Sequence, residues 1–282
     1  MLMFKKGKQD KDLVVDQKKH ECIDDSRDSR RHKLAFNIAD MAFFSNSAYT
    51  LYMKGYSHVM NQEIRIICDI FAELGFVVAN GPELETEFYN FDALNIPADH
   101  PARDMQDTFW VKGEKGEERK LLRTHTSNVQ IRFMQANTPP FGMLAPGKVY
   151  RNEATDATHE CQFHQVEGMY INKKVSLKDL KGTLEYFFKK YYGEDAKIRF
   201  RPSFFPFVEP GVEVDVLFKG KWLEVMGAGL MHPKVLKSGG VDSTEWSGFA
   251  FGMGFDRIIM IKYGIDDVRY LYSGDLRFTR QF

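Results

Sequence analysis

The chain has 282 residues, and 43% of them are hydrophobic, which is enough to bury the core of one large domain beside a smaller segment. Its 39 basic and 39 acidic residues cancel, so no net field draws the whole chain to nucleic acid. Cys22, Cys68 and Cys161 lack both the CxxC spacing of a zinc site and the even number of a disulfide framework. No apolar run approaches the roughly 20 residues that cross a bilayer, and no signal-peptide core is present. We therefore expect a protein of the reducing cytoplasm without membrane contact.

The first 54 residues differ in composition from the rest. Residues 5–33 carry charges of both signs with few apolar residues at helical spacing, a pattern typical of a solvated, disordered or loosely helical segment. We predict an N-terminal extension over residues 1–54 and a single larger domain over residues 55–282.

The larger domain begins with a predicted helix over His58–Leu74, closed by Gly75, and a short apolar strand that leads to Pro82. Two alternating apolar runs follow at residues 143–149 and 163–171, with a polar stretch between them. This spacing predicts two antiparallel strands joined by a long loop.

A second amphipathic helix is predicted over Ser176–Tyr192, with Ser176 and Asp179 as a capping start and Gly193 as its end. Short strands are expected at residues 198–201, 212–218 and 222–226, the last two joined at Lys219-Gly220. A buried strand at residues 249–253 then leads into a helix that ends at Gly264. Hairpins with flanking helices indicate an α+β fold with an antiparallel sheet rather than a doubly wound one.

Two arginines stand where strands end. Arg151 and Glu153 follow the run at 143–149, and residues two apart on a strand share a face, so we expect both side chains to point the same way. Arginine offers a planar fork for phosphate oxygens, although a surface Arg/Glu pair in a hairpin has the same pattern. Arg257 lies in the first turn of the last helix, where a cation is unfavourable without an anionic or aromatic partner.

Together these segments resemble motifs 2 and 3 of the class II aminoacyl-tRNA synthetases, and the helix and strand before Pro82 resemble motif 1. Four further segments are similar to the alpha-subunit family of bacterial phenylalanyl-tRNA synthetases: Asn90–Trp110, Leu121–Arg132, Phe200–Gly211 and Leu276–Phe282. The resemblance runs from about Gly55 to the last residue. It implies a class II aminoacyl-tRNA synthetase-like antiparallel sheet flanked by helices, and the activation of L-phenylalanine by ATP.

The resemblance assigns an ATP site to five residues. Arg151 would bridge the α-phosphate and the substrate carboxylate, His159 would face the outer phosphates, and Arg257 would neutralise charge, which makes these three the catalytic candidates. Glu153 would accept from the adenine amino group, and Phe163 would stack on the adenine face opposite Arg257. Mg²⁺ is implied by the phosphates, with Glu209 as a candidate metal contact.

The resemblance also assigns a phenylalanine site. Its polar part, which holds the amino group, comprises Trp110, His125, Ser127, Gln165 and Glu167. Phe205 and Phe207 share a strand face and would meet the substrate ring edge to face. Ala250 would close the slot, admitting phenyl and refusing a para substituent.

The family's alpha subunits pair with beta subunits as an alpha2beta2 heterotetramer that charges tRNA-Phe. They usually begin with a long helical arm for tRNA, for which residues 1–54 lack the length and the sustained heptads. We therefore expect tRNA contacts to depend on the beta subunit. Three alternatives remain at this point: a class II-like paralogue that binds an aromatic amino acid without charging tRNA, an amino-acid-binding module, and a relative of the biotin or lipoate ligases.

Overall fold

In the computed structural model, which describes residues 57–99, 108–114, 116–218 and 220–282, a seven-stranded sheet forms the centre of the chain. The strands are β1 (Phe76–Val78), β2 (Leu84–Thr86), β3 (Trp110–Val111), β4 (Lys120–Leu122), β5 (Phe141–Tyr150), β6 (Gln162–Asn172), β7 (Lys197–Phe205), β8 (Val208–Phe218), β9 (Lys221–Met231) and β10 (Ser247–Gly254). The large sheet has the order β1-β5-β6-β10-β9-β8-β7, and β2, β4 and β3 form a separate small sheet.

The antiparallel sheet predicted from the sequence is confirmed for six of the seven strands. The exception is β1, which pairs with β5 in parallel, with Val77 opposite Met143. A parallel pair needs a long crossover connection, and here the small sheet and several helices lie between the two strands. The small sheet was not predicted, because its strands have only two or three residues each.

The helices are α1 (Val59–Glu73), α2 (Glu87–Asn90), α3 (Ser127–Ala136), α4 (Leu177–Tyr192), α5 (Pro233–Ser238), α6 (Phe255–Tyr263) and α7 (Leu276–Thr279), with 3-10 turns at Asp92–Leu94 and Val268–Leu271. The predicted bounds of α1, α4 and α6 agree within a few residues. Ser176 and Asp179 form the expected capping box, and α6 ends at Gly264, whose φ of 69° a glycine adopts without strain.

Each face of the large sheet carries its own core, because neighbouring residues of a strand point to opposite faces. Phe71 of α1 stacks on Phe187 of α4 and Phe251 of β10, with ring centroids 5.0 and 5.1 Å away. On the other face, the 3-10 turn at Asp92–Leu94, α3 and α5 cover Met143, Met169 and their neighbours. Of the two cavities described below, one is lined mainly by residues of this second core, and the other is lined by residues of the first core, among them Ile261 and Val268.

The beginning of the domain is tied to its end by a buried carboxylate. Glu63 of α1 is 1% exposed, and it accepts from Lys262 Nζ at 2.7 Å and from the Tyr263 hydroxyl at 2.6 Å. A buried carboxylate is tolerated only when such partners satisfy it. The contact therefore fixes α1 against α6, the helix that carries Arg257. The predicted extension over residues 1–54 lies outside the described residues, and its boundary stays a prediction.

Candidate active site

Two cavities lie side by side, and Arg151 lines both of them. One has a volume of about 400 Å³ and is bordered by the β5–β6 loop and the start of α6. The other, of about 620 Å³, lies between β6, β10, the 3-10 turn at Asp92–Leu94 and the tip of the β7–β8 hairpin. We call them the first and the second cavity. Arg151 is therefore the residue at which the linings of the two cavities meet.

The strand position predicted for Arg151 and Glu153 is wrong, because β5 ends at Tyr150 and both residues lie in the loop that follows. The loop is closed at its base by the Arg151 N–H, which donates to the Cys161 carbonyl at 2.9 Å. Both side chains nevertheless border the first cavity. The shared direction that the sequence suggested therefore comes from the loop and not from strand alternation.

The Arg151 guanidinium is only partly engaged by protein. Its Cζ lies 5.0 Å from the centroid of the Phe163 ring, and its buried Nε has no hydrogen-bond partner among the described residues. Burial lowers the pKa of this arginine from its usual value. Because the usual pKa of arginine lies far above neutral pH, the guanidinium stays charged. A buried cation with an unused donor is ready to receive an anion.

Glu153, His159, Phe163 and Arg257, which the family resemblance assigned to an ATP site together with Arg151, all border the first cavity. Arg257 lies in the first turn of α6 and is exposed, and its Nε donates to the Glu224 carbonyl at 2.9 Å. His159 is also exposed, and its Nδ1 lies 3.0 Å from the Asp156 carboxylate. Hydrogen bonds from Thr158 and His159 lower the pKa of Asp156, so an acidic partner holds this histidine at the rim.

Glu167 forms the acidic floor of the second cavity. It is 5% exposed and accepts three hydrogen bonds, from Thr126 N at 3.1 Å, Ser127 Oγ at 2.5 Å and Gln130 Nε2 at 3.0 Å. Burial raises the pKa of Glu167, and these three donors oppose that rise by stabilising the charged form. The carboxylate is therefore fixed in position and suited to a cationic ligand.

Two more polar side chains that line the second cavity have buried atoms left without a hydrogen bond in the described part of the chain. Both ring nitrogens of His125 and the Oε1 atom of Gln165 are buried and lack hydrogen bonds among the described residues. Burial, together with the nearby charge of Arg151, lowers the pKa of His125 to about 3, so its ring is neutral at physiological pH. Buried polar atoms without partners carry a desolvation cost that a bound polar ligand removes.

The remaining walls of the second cavity are apolar. The strand face predicted to be shared by Phe205 and Phe207 is wrong, because β7 ends at Phe205 and Phe207 lies in the turn that follows. Their rings nevertheless stack with centroids 5.8 Å apart, and Ala250, the third apolar residue predicted here, is 7% exposed. Gly227 must be glycine for this arrangement, because an added Cβ would lie 2.9 Å from the Phe205 ring. The cavity thus combines one acidic, polar end with a slot for a flat apolar group.

The family model described as the tRNA synthetases class II core domain (F) matches residues 45–282. Relatives named phenylalanine–tRNA ligase alpha subunit include one from Pelodictyon phaeoclathratiforme, 53% identical over 82% of this chain and 71% of the relative, and one from Synechocystis, 53% identical over 81% and 68%. The chain belongs to the phenylalanine–tRNA ligase alpha-subunit family. A relative from Bacillus mycoides is 51% identical over 81% of this chain and 69% of its own length.

Among solved structures, pyrrolysyl-tRNA synthetase from Desulfitobacterium hafniense matches with a TM-score of 0.61, covering 88% of this chain and 84% of that one. At 17% identity this similarity shows a shared class II fold. The described part of this family member contains no helix long and apolar enough to span a membrane.

Two residues that the family resemblance implied are not brought to the cavities. Trp110 is 40% exposed, lies under the Arg119 guanidinium at 3.7 Å, and is not among the residues that line either cavity. Glu209 is exposed on β8 and lines neither cavity. Their assigned roles therefore stay predictions.

Sequence reasoning missed Gln130, Leu94 and Ile96, all of which line the second cavity. Gln130 was detectable, because it lies three residues after Ser127 on a helix and therefore on the same side. Leu94 and Ile96 gave no such signal, since their places depend on a turn whose left-handed residue, Asn95, is not a glycine.

Proposed function

We propose that this chain is the catalytic alpha subunit of a phenylalanine–tRNA ligase. It activates L-phenylalanine with ATP, forming phenylalanyl-adenylate and releasing pyrophosphate, and then transfers the phenylalanyl group to tRNA-Phe. The observation that carries this proposal is the position of Arg151 at the boundary of the two cavities. Activation joins a carboxylate to a phosphate, so a fixed cation is needed where the two anions meet.

The second cavity suits phenylalanine at both ends. Glu167 receives the ammonium group, while the neutral His125 and the Oε1 atom of Gln165 supply further acceptors. Phe205 and Phe207 contact the phenyl ring, and Ala250 closes the slot. The substrate carboxylate then points toward Arg151, where the two cavities meet.

The first cavity suits ATP. In the proposed complex the adenine lies between Phe163 and Arg257, Glu153 accepts from the adenine amino group, and His159 faces the outer phosphates. The contact between Arg151 and the Phe163 ring, and the Arg257 bond to the Glu224 carbonyl, would be replaced by contacts to the nucleotide. These two arginines neutralise the charge that develops as pyrophosphate leaves.

Magnesium is proposed to accompany ATP. The described residues contain no group of three or more His, Cys, Asp or Glu that could hold a metal ion, so they do not fit a cage formed by protein ligands alone. Mg²⁺ often binds mainly through substrate phosphates with one or two carboxylates, and it would assist by neutralising phosphate charge. Glu209 remains the proposed protein contact.

We further propose that the chain works in the cytoplasm with a beta subunit, as an alpha2beta2 heterotetramer that binds tRNA-Phe. The names of the relatives as alpha subunits support a second kind of subunit. The balanced charge of the chain supports the view that much of the tRNA contact comes from that partner.

The test is to co-express the chain with the beta subunit of its source and to measure amino-acid-dependent ATP–pyrophosphate exchange and charging of tRNA-Phe. We expect exchange with phenylalanine, background exchange with tyrosine, and charging by the complex. Phenylalanine binding without exchange in the purified complex would contradict the proposal and indicate the paralogue that binds an aromatic amino acid without charging tRNA.

A further inference from the structure

One hydrogen bond connects two segments that line the second cavity. Leu94 and Ile96 line one wall, and Phe205 and Phe207 line another. Asn95 lies between the first two residues, and its Nδ2 donates to the carbonyl oxygen of Pro206, between the two phenylalanines, at 2.6 Å. The bond joins positions 111 residues apart in the chain.

The backbone at Asn95 is built for this contact. The residue ends the 3-10 turn with φ 60° and ψ 31°, and its N–H donates to the Asp92 carbonyl at 3.1 Å. Asparagine is one of the few residues other than glycine that adopt this left-handed conformation readily. The turn at Asn95 also places Leu94 and Ile96, on either side of it, against the same cavity.

The partner of Asn95 is the tip of the β7–β8 hairpin. Pro206 and Phe207 form the turn, and the Phe207 carbonyl accepts from the His232 N–H at 3.0 Å, next to the start of α5. Two hydrogen bonds thus hold the tip: the backbone bond from His232 and the side-chain bond from Asn95. Since Phe205 and Phe207 flank Pro206, a shift of the tip moves both rings.

We propose that Asn95 is a positioning residue that fixes the distance between these walls and thereby sets the affinity and selectivity of the phenylalanine slot. This inference rests on the proposed function of the same cavity. Asn95 is not among the residues that line the cavity, so it acts through Pro206 and the two rings.

Two variants separate the hydrogen bond from the backbone. Asn95→Asp keeps the size of the side chain and tolerates the left-handed turn, but it replaces the donor with a carboxylate facing a carbonyl. Asn95→Gly keeps the turn and removes the side chain. The matched control is Gln135→Glu, because Gln135 Nε2 also donates to a backbone carbonyl of another segment, that of Ser238 at 3.1 Å, away from both cavities.

The measurement is phenylalanine-dependent pyrophosphate exchange by the complete enzyme, with calorimetric binding of phenylalanine as a readout without chemistry. We expect the KM and the Kd for phenylalanine to rise at least about threefold in Asn95→Gly and about tenfold in Asn95→Asp, the scale of one lost hydrogen bond. The kcat and the KM for ATP should stay within about twofold, because only uniform binding of the ring is lost. Preference for phenylalanine over para-chlorophenylalanine should fall in both variants.

Unchanged phenylalanine KM in both variants of an active enzyme would overturn this inference alone. Equal increases in the KM for phenylalanine and for ATP would also overturn it, because they would show general damage instead of a loosened slot. A wild-type complex without phenylalanine-dependent exchange would overturn the proposed function and this inference with it. The Gln135→Glu control should match the wild type in every readout.

Discussion

The two cavities differ in how far they are organised before any substrate binds. In the second cavity, Glu167 is buried and held by three hydrogen bonds, and the aromatic walls are fixed by packing. In the first, Arg257 and His159 are exposed, and Arg257 is held by a carbonyl that a ligand must replace. The end proposed for the amino acid is thus held by contacts within the protein, and the end proposed for the nucleotide is open.

The difference follows from what each end has to recognise. The enzyme must distinguish phenylalanine from other amino acids by the shape of its side chain, and this requires a binding slot whose walls keep their positions. ATP offers a large aromatic base and several charges, so it can order exposed side chains as it binds. Mutations at the two ends should therefore change different kinetic constants.

The largest effect is expected for Glu167→Gln. Without the carboxylate, the substrate ammonium would be buried beside a neutral amide. The loss of this buried ion pair should raise the KM for phenylalanine by about 10³-fold. The KM for ATP should change little. Kinetics of pyrophosphate exchange test this, with Glu185→Gln, an exposed carboxylate of α4, as control. An equal rise in both KM values would remove the assignment of Glu167 to the amino-acid end.

The same carboxylate predicts a pH dependence. Since burial raises the pKa of Glu167, wild-type affinity for phenylalanine should be retained above that pKa and lost as the pH falls through it. Glu167→Gln should bind weakly at every pH. Titration calorimetry across an acidic pH series measures this, and parallel pH profiles for the two proteins would be the contrary outcome.

Next in size is Arg257→Ala at the open end. Loss of a charge contact that stabilises the transition state should lower pyrophosphate exchange by about 10²-fold, with the phenylalanine Kd unchanged. Arg277→Ala serves as control, because that arginine is 92% exposed and pairs with Asp275 on the surface. Wild-type exchange rates in a folded Arg257→Ala enzyme would remove this residue from the nucleotide site.

A smaller effect is expected for Ala250→Gly, which removes one methyl group from the end of the slot and so lengthens it. Para-chlorophenylalanine should become a substrate, with discrimination reduced by about 1–3 kcal/mol. Ala136→Gly, at the exposed end of α3, controls for the general cost of a glycine. Activation of the para-chloro analogue that stays at background would show that Ala250 does not limit the slot.

The smallest effect concerns stability, at a buried acid of the otherwise open cavity. Burial raises the pKa of Asp256 to about 7, and Tyr272 donates to it at 2.5 Å. Because the folded state holds this proton while the unfolded state releases it, stability should fall as the pH rises, by about 1.4 kcal/mol between about pH 6 and about pH 8.

Asp256→Asn should remove this slope, as thermal melts at several pH values will measure. Asp242→Asn is the control, since hydrogen bonds from Thr244 lower the pKa of that exposed carboxylate and its contribution changes only at acidic pH. A slope that persists in Asp256→Asn would assign the pH dependence to another group.

Much of this arrangement could be predicted from the sequence, and the reasons are local. The capping box at Ser176 and the glycine end at Gly264 are encoded within a few residues. The alternation along β6 likewise put Gln165 and Glu167 on one face, and both line the second cavity.

What could not be predicted depends on contacts between distant segments. Nothing near Asn95 indicates that its side chain bonds to Pro206, and nothing near Phe76 indicates a parallel pairing with β5. The common direction of Arg151 and Glu153 was predicted from the rule that residues two apart on a strand share a face, but the pairing of β5 with β6 ends at Tyr150, so the rule does not apply to them.

Arg151 is proposed to join the two cavities into one site, and binding of a non-hydrolysable phenylalanyl-adenylate analogue, which would occupy both cavities, tests this. Calorimetry should give wild-type affinity for the analogue at least about 10²-fold above that for phenylalanine or ATP alone. In Arg151→Ala, the affinity for the analogue should fall by more than that for either substrate. If Arg151→Ala lowers the affinity for only one substrate, and lowers the affinity for the analogue by the same factor, Arg151 does not join the two cavities.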